Sequence, residues 1–320
     1  MLKKWFIITP VLALLLILTA CGSSSNASQD NDKLKVYTTV YPLTYLAEEI
    51  GGDKVDVTSV YPAGSDAHSF EPTQKDMMKI ADSDLLFYVG LNLESFVDKA
   101  KNTLKGENVT FVPLAEDLDL PKDPDAASNE EEEEHSDSGE EHEEHGEYNP
   151  HVWLYPVYME EMAKTVKDRL IKESPDQKAT FEKNYETTVA KLKTLDEEYQ
   201  KMAKTAKHKD FVTAHAAYTY WETAYGLHQI PIAGVSTSDE PSQKKLQSIV
   251  NTIQKENIPY IMLEQNTNSK IADVIQQETD TKALRLHNLE TLMPKDEKEN
   301  RDYISIMNDN LDALKQALNY

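Results

Sequence analysis

Three histidines occupy equivalent places in the sequence. His68, His151 and His215 each lie just after a predicted β-strand, and Glu290 follows the last predicted strand. Open α/β sheets bind their ligands at the carboxyl ends of the strands. Three imidazoles and one carboxylate at such edges indicate a site for a metal ion.

The donor types narrow the choice of metal. Imidazole nitrogens with one carboxylate suit Zn²⁺, and Cu²⁺ or Ni²⁺ is chemically compatible, whereas Ca²⁺ and Mg²⁺ require nearly all-oxygen ligation. The single cysteine, Cys21, lies far from these residues in the sequence. No thiolate is therefore expected in the site, and no intramolecular disulfide can form.

A second group of histidines lies in an acidic run that precedes His151. Residues 129–147 contain no aliphatic or aromatic side chain, and three histidines stand among the carboxylates: His135, His142 and His145. Such a composition buries too little apolar surface to fold, so we predict a disordered loop over residues 116–148. It is either a solvated insertion or an auxiliary site of weak metal capture, and the interspersed histidines favour the second interpretation. The His142–His145 spacing is three, so this pair is not the i, i+4 pair of a zinc-protease helix.

Strand and helix patterns alternate on both sides of a long helical region. Over residues 34–175 and 206–320, short β-branched or apolar runs alternate with amphipathic segments. This alternation predicts two α/β lobes, and the wholly apolar run at residues 85–90 is typical of a strand buried on both faces.

The region between the lobes, residues 176–205, predicts one long helix. Its narrow apolar stripe recurs about every seven residues, with Thr188 as the weak member: Phe181, Tyr185, Leu192, Leu195, Tyr199 and Met202. Such a helix would span roughly 40 Å, about the length of a domain. We interpret it as a rigid strut; a coiled coil is disfavoured because the register lasts only about three heptads.

The N-terminus resembles the signal of a bacterial lipoprotein. Lys3 and Lys4 precede an apolar stretch at residues 5–18, which is short for a membrane span, and LTACG at residues 18–22 resembles a lipobox. We expect removal of residues 1–20, lipid on Cys21, and a flexible tether over residues 21–33. The protein would then be anchored to the extracytoplasmic face of the cell membrane.

The overall charge excludes some partners. The chain has 33 basic and 56 acidic residues, a formal net charge of −23. Nucleic acid and anionic lipid surfaces would repel it, so membrane attachment is expected through the lipid alone. We expect the protein to be a monomer.

Several motifs together resemble one protein family. The lipobox and the acidic histidine loop accompany GSDAHSFEP at residues 64–72, NPHVWL at residues 149–154 and TAHAAY at residues 213–218. In this order, over the whole chain, they resemble the metal-binding lipoproteins of bacterial ABC transporters, and within these the zinc branch (ZnuA/AdcA-like). The resemblance implies two (β/α)4-type lobes joined by a long rigid helix, with one metal ion in the cleft between them.

The resemblance also implies the ligands. His68, His151 and His215 match the family's histidine positions, and Glu290 best matches its carboxylate, with the nearby His287 as a rival. A histidine at position 215 is typical of the zinc branch, because the manganese branch usually has a carboxylate there.

The implied function is capture of Zn²⁺ outside the cytoplasm and its delivery to an ABC permease, which works with a cytoplasmic ATPase. No catalysis is expected, because four protein ligands leave no open position for an activated water. The alternatives are a manganese or iron carrier of the same fold, a zinc metallohydrolase that uses the same histidines, and an adhesin, for which no sequence feature argues.

Overall fold

Each half of the chain builds its own parallel sheet. The computed structural model describes residues 33–122, 147–239, 241–265 and 270–320. The signal segment, Cys21, almost all of the predicted tether and the three loop histidines (His135, His142 and His145) lie outside these residues, so the expectations about them stay predictions.

The first lobe is a four-stranded sheet with helices between successive strands. Its strands pair in the order β2-β1-β3-β4: β1 (Leu34–Thr38), β2 (Val55–Ser59), β3 (Leu85–Tyr88) and β4 (Thr110–Pro113). The helices are α1 (Tyr41–Gly51), α2 (Gln74–Ala81) and α3 (Val97–Thr103). Strand β3 is buried along its whole length, as its apolar sequence predicts. Thr73 caps α2 by accepting a hydrogen bond from the Asp76 N–H.

Two long helices follow the first sheet and pack against each other: α4 (Pro156–Glu173) and α5 (Lys178–Thr205). Pro175 disfavours helical backbone at Ser174, so α4 ends there and a short 3-10 turn, Pro175–Gln177, leads into α5. The predicted stripe of α5 is buried, including Thr188, except that Tyr185 is half-buried. Helix α5 starts two residues later than predicted.

The second lobe repeats the plan of the first. Its strands pair in the parallel order β6-β5-β7-β8: β5 (Asp210–Thr213), β6 (His228–Pro231), β7 (Tyr260–Leu263) and β8 (Lys282–Arg285). Its helices are α6 (Thr219–Tyr225), α7 (Gln243–Glu256), α8 (Lys270–Thr279), α9 (Pro294–Lys298) and α10 (Tyr303–Ala317). The α/β class with two parallel-sheet lobes is therefore confirmed.

Two local expectations in this lobe are wrong. The apolar run at residues 230–235 predicts a strand, but β6 ends at Pro231, because its partner β5 ends at Thr213. The sequence at residues 238–241 predicts the cap of α7, whereas Ser242 caps it by accepting from the Lys245 N–H.

One apolar core is shared by the two lobes. It includes residues of both sheets and of α5, which packs against α1 of the first lobe and α10 of the second. Indole and phenol donors also join the lobes: Trp153 Nε1 donates to Asn288 O at 2.8 Å, and Tyr303 Oη donates to Trp153 O at 2.7 Å.

A smaller apolar cluster lies on the other side of the second sheet, between the sheet and helices α7 and α8. None of the described helices is long and apolar enough to cross a membrane.

The hydroxyl of Tyr199 provides a test of the link between α5 and α10. This buried group donates to Met307 O at 2.8 Å. Tyr199→Phe should lower the free energy of unfolding by about 1 kcal/mol, since the bond is lost while the ring packing is kept. Urea unfolding of the metal-free protein measures this. The control is Tyr185→Phe, whose half-buried ring lies 4.9 Å from Lys167 Nζ; it should change stability by less than about 0.5 kcal/mol. Equal losses in both variants would contradict the assignment.

Candidate metal centre

Four side chains converge between the lobes. His68 lies between β2 and α2, His151 follows β4 after a long connection, His215 follows β5, and Glu290 follows β8. One donor atom from each residue lies within 4.8 Å of the other three. Both sheets therefore contribute their carboxyl edges to one cluster, and this cluster is the only such group among the described residues.

The spacing of the donor atoms is close to that of a tetrahedral shell. His151 Nε2 lies 3.2 Å from His68 Nε2 and 3.1 Å from His215 Nε2. Glu290 Oε1 lies 3.6 Å from the Nε2 atoms of His68 and His151, and 3.8 Å from that of His215. A tetrahedron with ligand bonds of about 2.0–2.1 Å has edges of about 3.3 Å. Small side-chain adjustments would bring all four donors to one ion.

Burial makes the binding of a cation favourable in this cluster. His151, His215 and Glu290 are at most 1% exposed, while the His68 side chain is 11% exposed. Glu290 Oε1 is buried without a hydrogen-bond partner in the described structure. A buried carboxylate oxygen that lacks a partner carries a large desolvation cost, which a bound metal ion would offset.

Protonation at the cluster favours metal binding by His151 and Glu290. Burial lowers the pKa of His151 to about 3, so its imidazole is neutral at neutral pH. Burial alone would raise the pKa of Glu290, but the imidazoles of His151 and His68, whose Nε2 atoms lie 3.6 Å from Glu290 Oε1, outweigh it and hold that pKa well below its usual range. For His215, burial lowers the pKa, and the Glu264 carboxylate more than offsets this, so the pKa is raised. At neutral pH the cluster therefore presents an ionised carboxylate and at least one free imidazole lone pair.

Neighbouring side chains fix two of the imidazoles. Asn149 Oδ1 lies 2.8 Å from His151 Nδ1 and also accepts from the His151 N–H. Glu264 Oε1 is hydrogen-bonded to His215 Nδ1. With the Nδ1 proton held in this way, each ring directs Nε2 toward the centre of the cluster.

The loop that carries His68 is tied to the segment that carries Glu290. The Ala67 N–H donates to Glu290 Oε2 at 3.2 Å, the Gly64 N–H donates to Leu292 O at 3.0 Å, and Thr291 Oγ1 donates to Ser65 O at 3.0 Å. The first-lobe loop that carries His68 and the second-lobe segment that carries Glu290 therefore support each other.

His287, the rival of Glu290, is placed outside the cluster. Its Nδ1 accepts from the Leu289 N–H at 2.9 Å and its Nε2 lies 3.4 Å from Asp296 Oδ2. Both ring nitrogens are thus engaged elsewhere, and the carboxylate of Glu290 is the fourth member of the cluster.

Sequence reasoning missed the residues that hold the imidazoles. Glu264 comes directly after β7, which is the same strand-end signal that identifies His215, and it could have been found in that way. Asn149 stands within the motif around His151, but an amide at this place carries no metal signal of its own.

The family model and the curated relatives that match this chain are zinc-uptake proteins. The family model described as "Zinc-uptake complex component A periplasmic" (ZnuA) matches residues 36–317. The chain is 38% identical to the high-affinity zinc uptake system protein ZnuA of Bacillus subtilis (strain 168), over 99% of each chain.

Solved structures extend this likeness. The crystal structure of the Zn(II)-bound ZnuA-like domain of Streptococcus pneumoniae AdcA has a TM-score of 0.74 at 35% identity, over 90% of this chain and 100% of that one. The laminin-binding protein Lmb of Streptococcus agalactiae, described as bifunctional with adhesin and metal transporting activity, has a TM-score of 0.75 at 29% identity. That match covers 89% of this chain and 99% of the other.

The burial of His287 predicts a pH dependence of stability. Burial lowers its pKa from 6.5 to about 4. Below about pH 6.5, His287 therefore binds a proton in the unfolded chain but stays neutral in the folded protein. The free energy of unfolding consequently falls as the pH drops toward 4. In His287→Asn the amide oxygen can replace Nδ1 as acceptor, and the titration is removed. Between pH 7 and pH 5, the metal-free wild type should lose about 2 kcal/mol more unfolding free energy than the variant. Urea unfolding with a chelator present measures this, and equal losses would show that His287 titrates normally.

Proposed function

The chain belongs to the family of zinc-uptake complex component A proteins, and on this premise we propose that it binds Zn²⁺ outside the cytoplasm and delivers it to an ABC permease. The observation that carries the proposal is the buried cluster of His68, His151, His215 and Glu290, with donor atoms within 4.8 Å of one another.

The donor set favours zinc over the other divalent ions. Three imidazole nitrogens and one carboxylate oxygen suit a four-coordinate Zn²⁺, whereas Mn²⁺, Mg²⁺ and Ca²⁺ prefer sites with more oxygen ligands. The donor separations of 3.1 to 3.8 Å support a compact tetrahedral shell. Zinc is the cargo of this site.

Binding without catalysis follows from the same shell. A zinc hydrolase keeps one coordination position open for the water that it activates. Here four protein donors fill the shell, and three of the four residues are at most 1% exposed. A carrier of zinc is therefore favoured over a metallohydrolase.

The cellular setting is part of the proposal. The protein would be anchored through lipid on Cys21, would work as a monomer at the extracytoplasmic face of the membrane, and would pass its ion to a permease driven by a cytoplasmic ATPase. The lipobox at residues 18–22 supports the anchor, and the family supports the transporter.

The acidic histidine run is proposed as an auxiliary site of weak metal capture. The described residues on either side of it, Lys122 and Glu147, form an ion pair. His151 follows Glu147 by four residues and is held by Asn149 within the described fold. Tight binding should therefore be independent of the run.

Ligand substitution tests the zinc proposal. His151→Ala and His215→Ala should each lower zinc affinity by more than the roughly 100-fold typical of residues that only support a ligand. Competition with a chromophoric chelator measures this, and His287→Asn, which changes a buried histidine outside the cluster, is the matched control. Wild-type affinity in either alanine variant would refute the ligand assignment. A preference for Mn²⁺ over Zn²⁺ in a competitive titration would refute the choice of metal.

Loop deletion tests the division between the tight site and the auxiliary run. Removal of residues 123–146, with Lys122 and Glu147 joined by a short glycine-serine linker, should leave the tight zinc affinity unchanged. The number of weakly bound zinc ions should fall, because three histidines are lost. Equilibrium dialysis over a range of zinc concentrations resolves both classes, and loss of the tight class would place a necessary ligand in the run.

A further inference from the structure

We propose that Glu264 is a positioning residue for zinc: it holds His215 Nε2 toward the ion and supplies the second buried negative charge of the site. The inference rests on the proposed zinc function. It concerns a residue that does not touch the ion and is separated from it by one imidazole ring.

Glu264 is buried and both of its oxygens face nitrogen donors. The residue is 2% exposed. Its Oε1 is hydrogen-bonded to His215 Nδ1, and its Oε2 accepts from Asn288 Nδ2 at 3.0 Å. A carboxylate held at two points cannot rotate freely, so it fixes the plane of the His215 ring as well as the position of its proton.

The same chain of hydrogen bonds reaches the carboxylate ligand. Asn288 Oδ1 accepts from the Glu290 N–H at 3.2 Å and from Gln265 Nε2 at 2.9 Å. Asn288 O accepts from Trp153 Nε1. Glu264 and Asn288 therefore connect two of the four ligands, His215 and Glu290, through side-chain contacts that lie within the second lobe.

Charge balance gives Glu264 a role that an amide could not take. With neutral imidazoles, a divalent ion and the Glu290 carboxylate leave one positive charge in a buried site. The Glu264 carboxylate brings the total to zero, and a buried site of zero net charge avoids the large cost of an uncompensated charge. The other fixed imidazole, His151, is held by the neutral amide of Asn149, so this balancing charge is particular to His215.

Glu264→Gln separates these roles from packing, because it keeps the size of the side chain. The new amide nitrogen of Gln can face Asn288 Nδ2, and two hydrogen-bond donors then point at each other. Alternatively it faces His215 Nδ1, which must then accept, so that the imidazole proton moves to Nε2, the nitrogen that would bind the metal. Either orientation weakens metal binding. Zinc affinity, measured by chelator competition, should fall about 10- to 100-fold.

A double variant tests whether the loss comes from the orientation of His215 and the charge of the site. Glu264→Gln combined with Asn288→Asp restores the donor–acceptor sequence and the total charge, because the new carboxylate at position 288 would accept from the new amide at position 264 and from the Glu290 N–H. The amide oxygen at position 264 can then hold His215 Nδ1, as Asn149 Oδ1 holds His151 Nδ1. Zinc affinity should therefore recover most of the loss seen in the single variant. Affinity that stays as low as in the single variant would show that neither orientation nor charge explains the loss, and would overturn the proposal.

The Co²⁺-substituted protein gives a readout that loss of packing alone would not change. Visible absorption of four-coordinate Co²⁺ is stronger than that of higher coordination numbers. At saturating Co²⁺, Glu264→Gln should absorb more weakly than the wild type, because a misaligned His215 lets water into the shell. The matched control is Asp196→Asn, which alters a buried carboxylate on α5 that is bonded to Tyr225 and Gln200. The control should retain the wild-type affinity and spectrum.

The outcomes separate this inference from the function on which it rests. If the wild type binds no zinc, the proposed function fails. If the wild type binds tightly and Glu264→Gln is unchanged in affinity and spectrum, only the positioning role fails. If Glu264→Gln does not fold, Asn288→Ala tests the same series of hydrogen bonds, because it removes the side chain that holds Glu264. A loss of zinc affinity supports the inference, and an unchanged zinc affinity overturns it.

Discussion

The close approach of four electron-pair donors in a buried space is the constraint on which the structure depends. Three imidazole nitrogens and Glu290 Oε1 lie within 4.8 Å of one another, and that oxygen is left without a partner in the described structure. Such a group is unfavourable unless a cation binds or protons are taken up. The surrounding structure must therefore hold the donors together. The favourable free energy of packing in the apolar core shared by both lobes offsets the cost of burying them.

The holding residues differ in kind from the ligands. Asn149 and Glu264 each fix one imidazole through its outer nitrogen, and the Ala67 N–H fixes the carboxylate. Behind them, Trp153 joins the two lobes through its indole N–H. The four residues of the cluster follow β2, β4, β5 and β8 in the chain, but these secondary contacts hold three of their side chains in place, as is typical of metal sites with good geometry.

Local patterns predicted the elements better than their junctions. The buried run of β3 and the stripe of α5 follow from hydrophobic periodicity, which depends on neighbouring residues only. The end of β6 at Pro231 depends on where its partner β5 stops, and the roles of Asn149 and Glu264 depend on which residues the fold brings beside them. Periodicity contains no information about such contacts. His68, His151, His215 and Glu290 come together as predicted, because parallel sheets align their carboxyl ends. His151, however, reaches the cluster through a long connection after β4 and not directly from a strand.

The separation of the two apolar clusters has a consequence for the lifetime of the protein in the presence of proteases. An ion bound by both lobes stabilises the whole shared core, by about 2.7 kcal/mol at a free concentration 100 times its dissociation constant. Helices α7 and α8 pack through the smaller cluster, so this layer can open locally while all four ligands stay in place. Metal supply would thus govern the survival of the core, whereas cleavage in the α7–α8 layer would proceed at much the same rate with or without the ion.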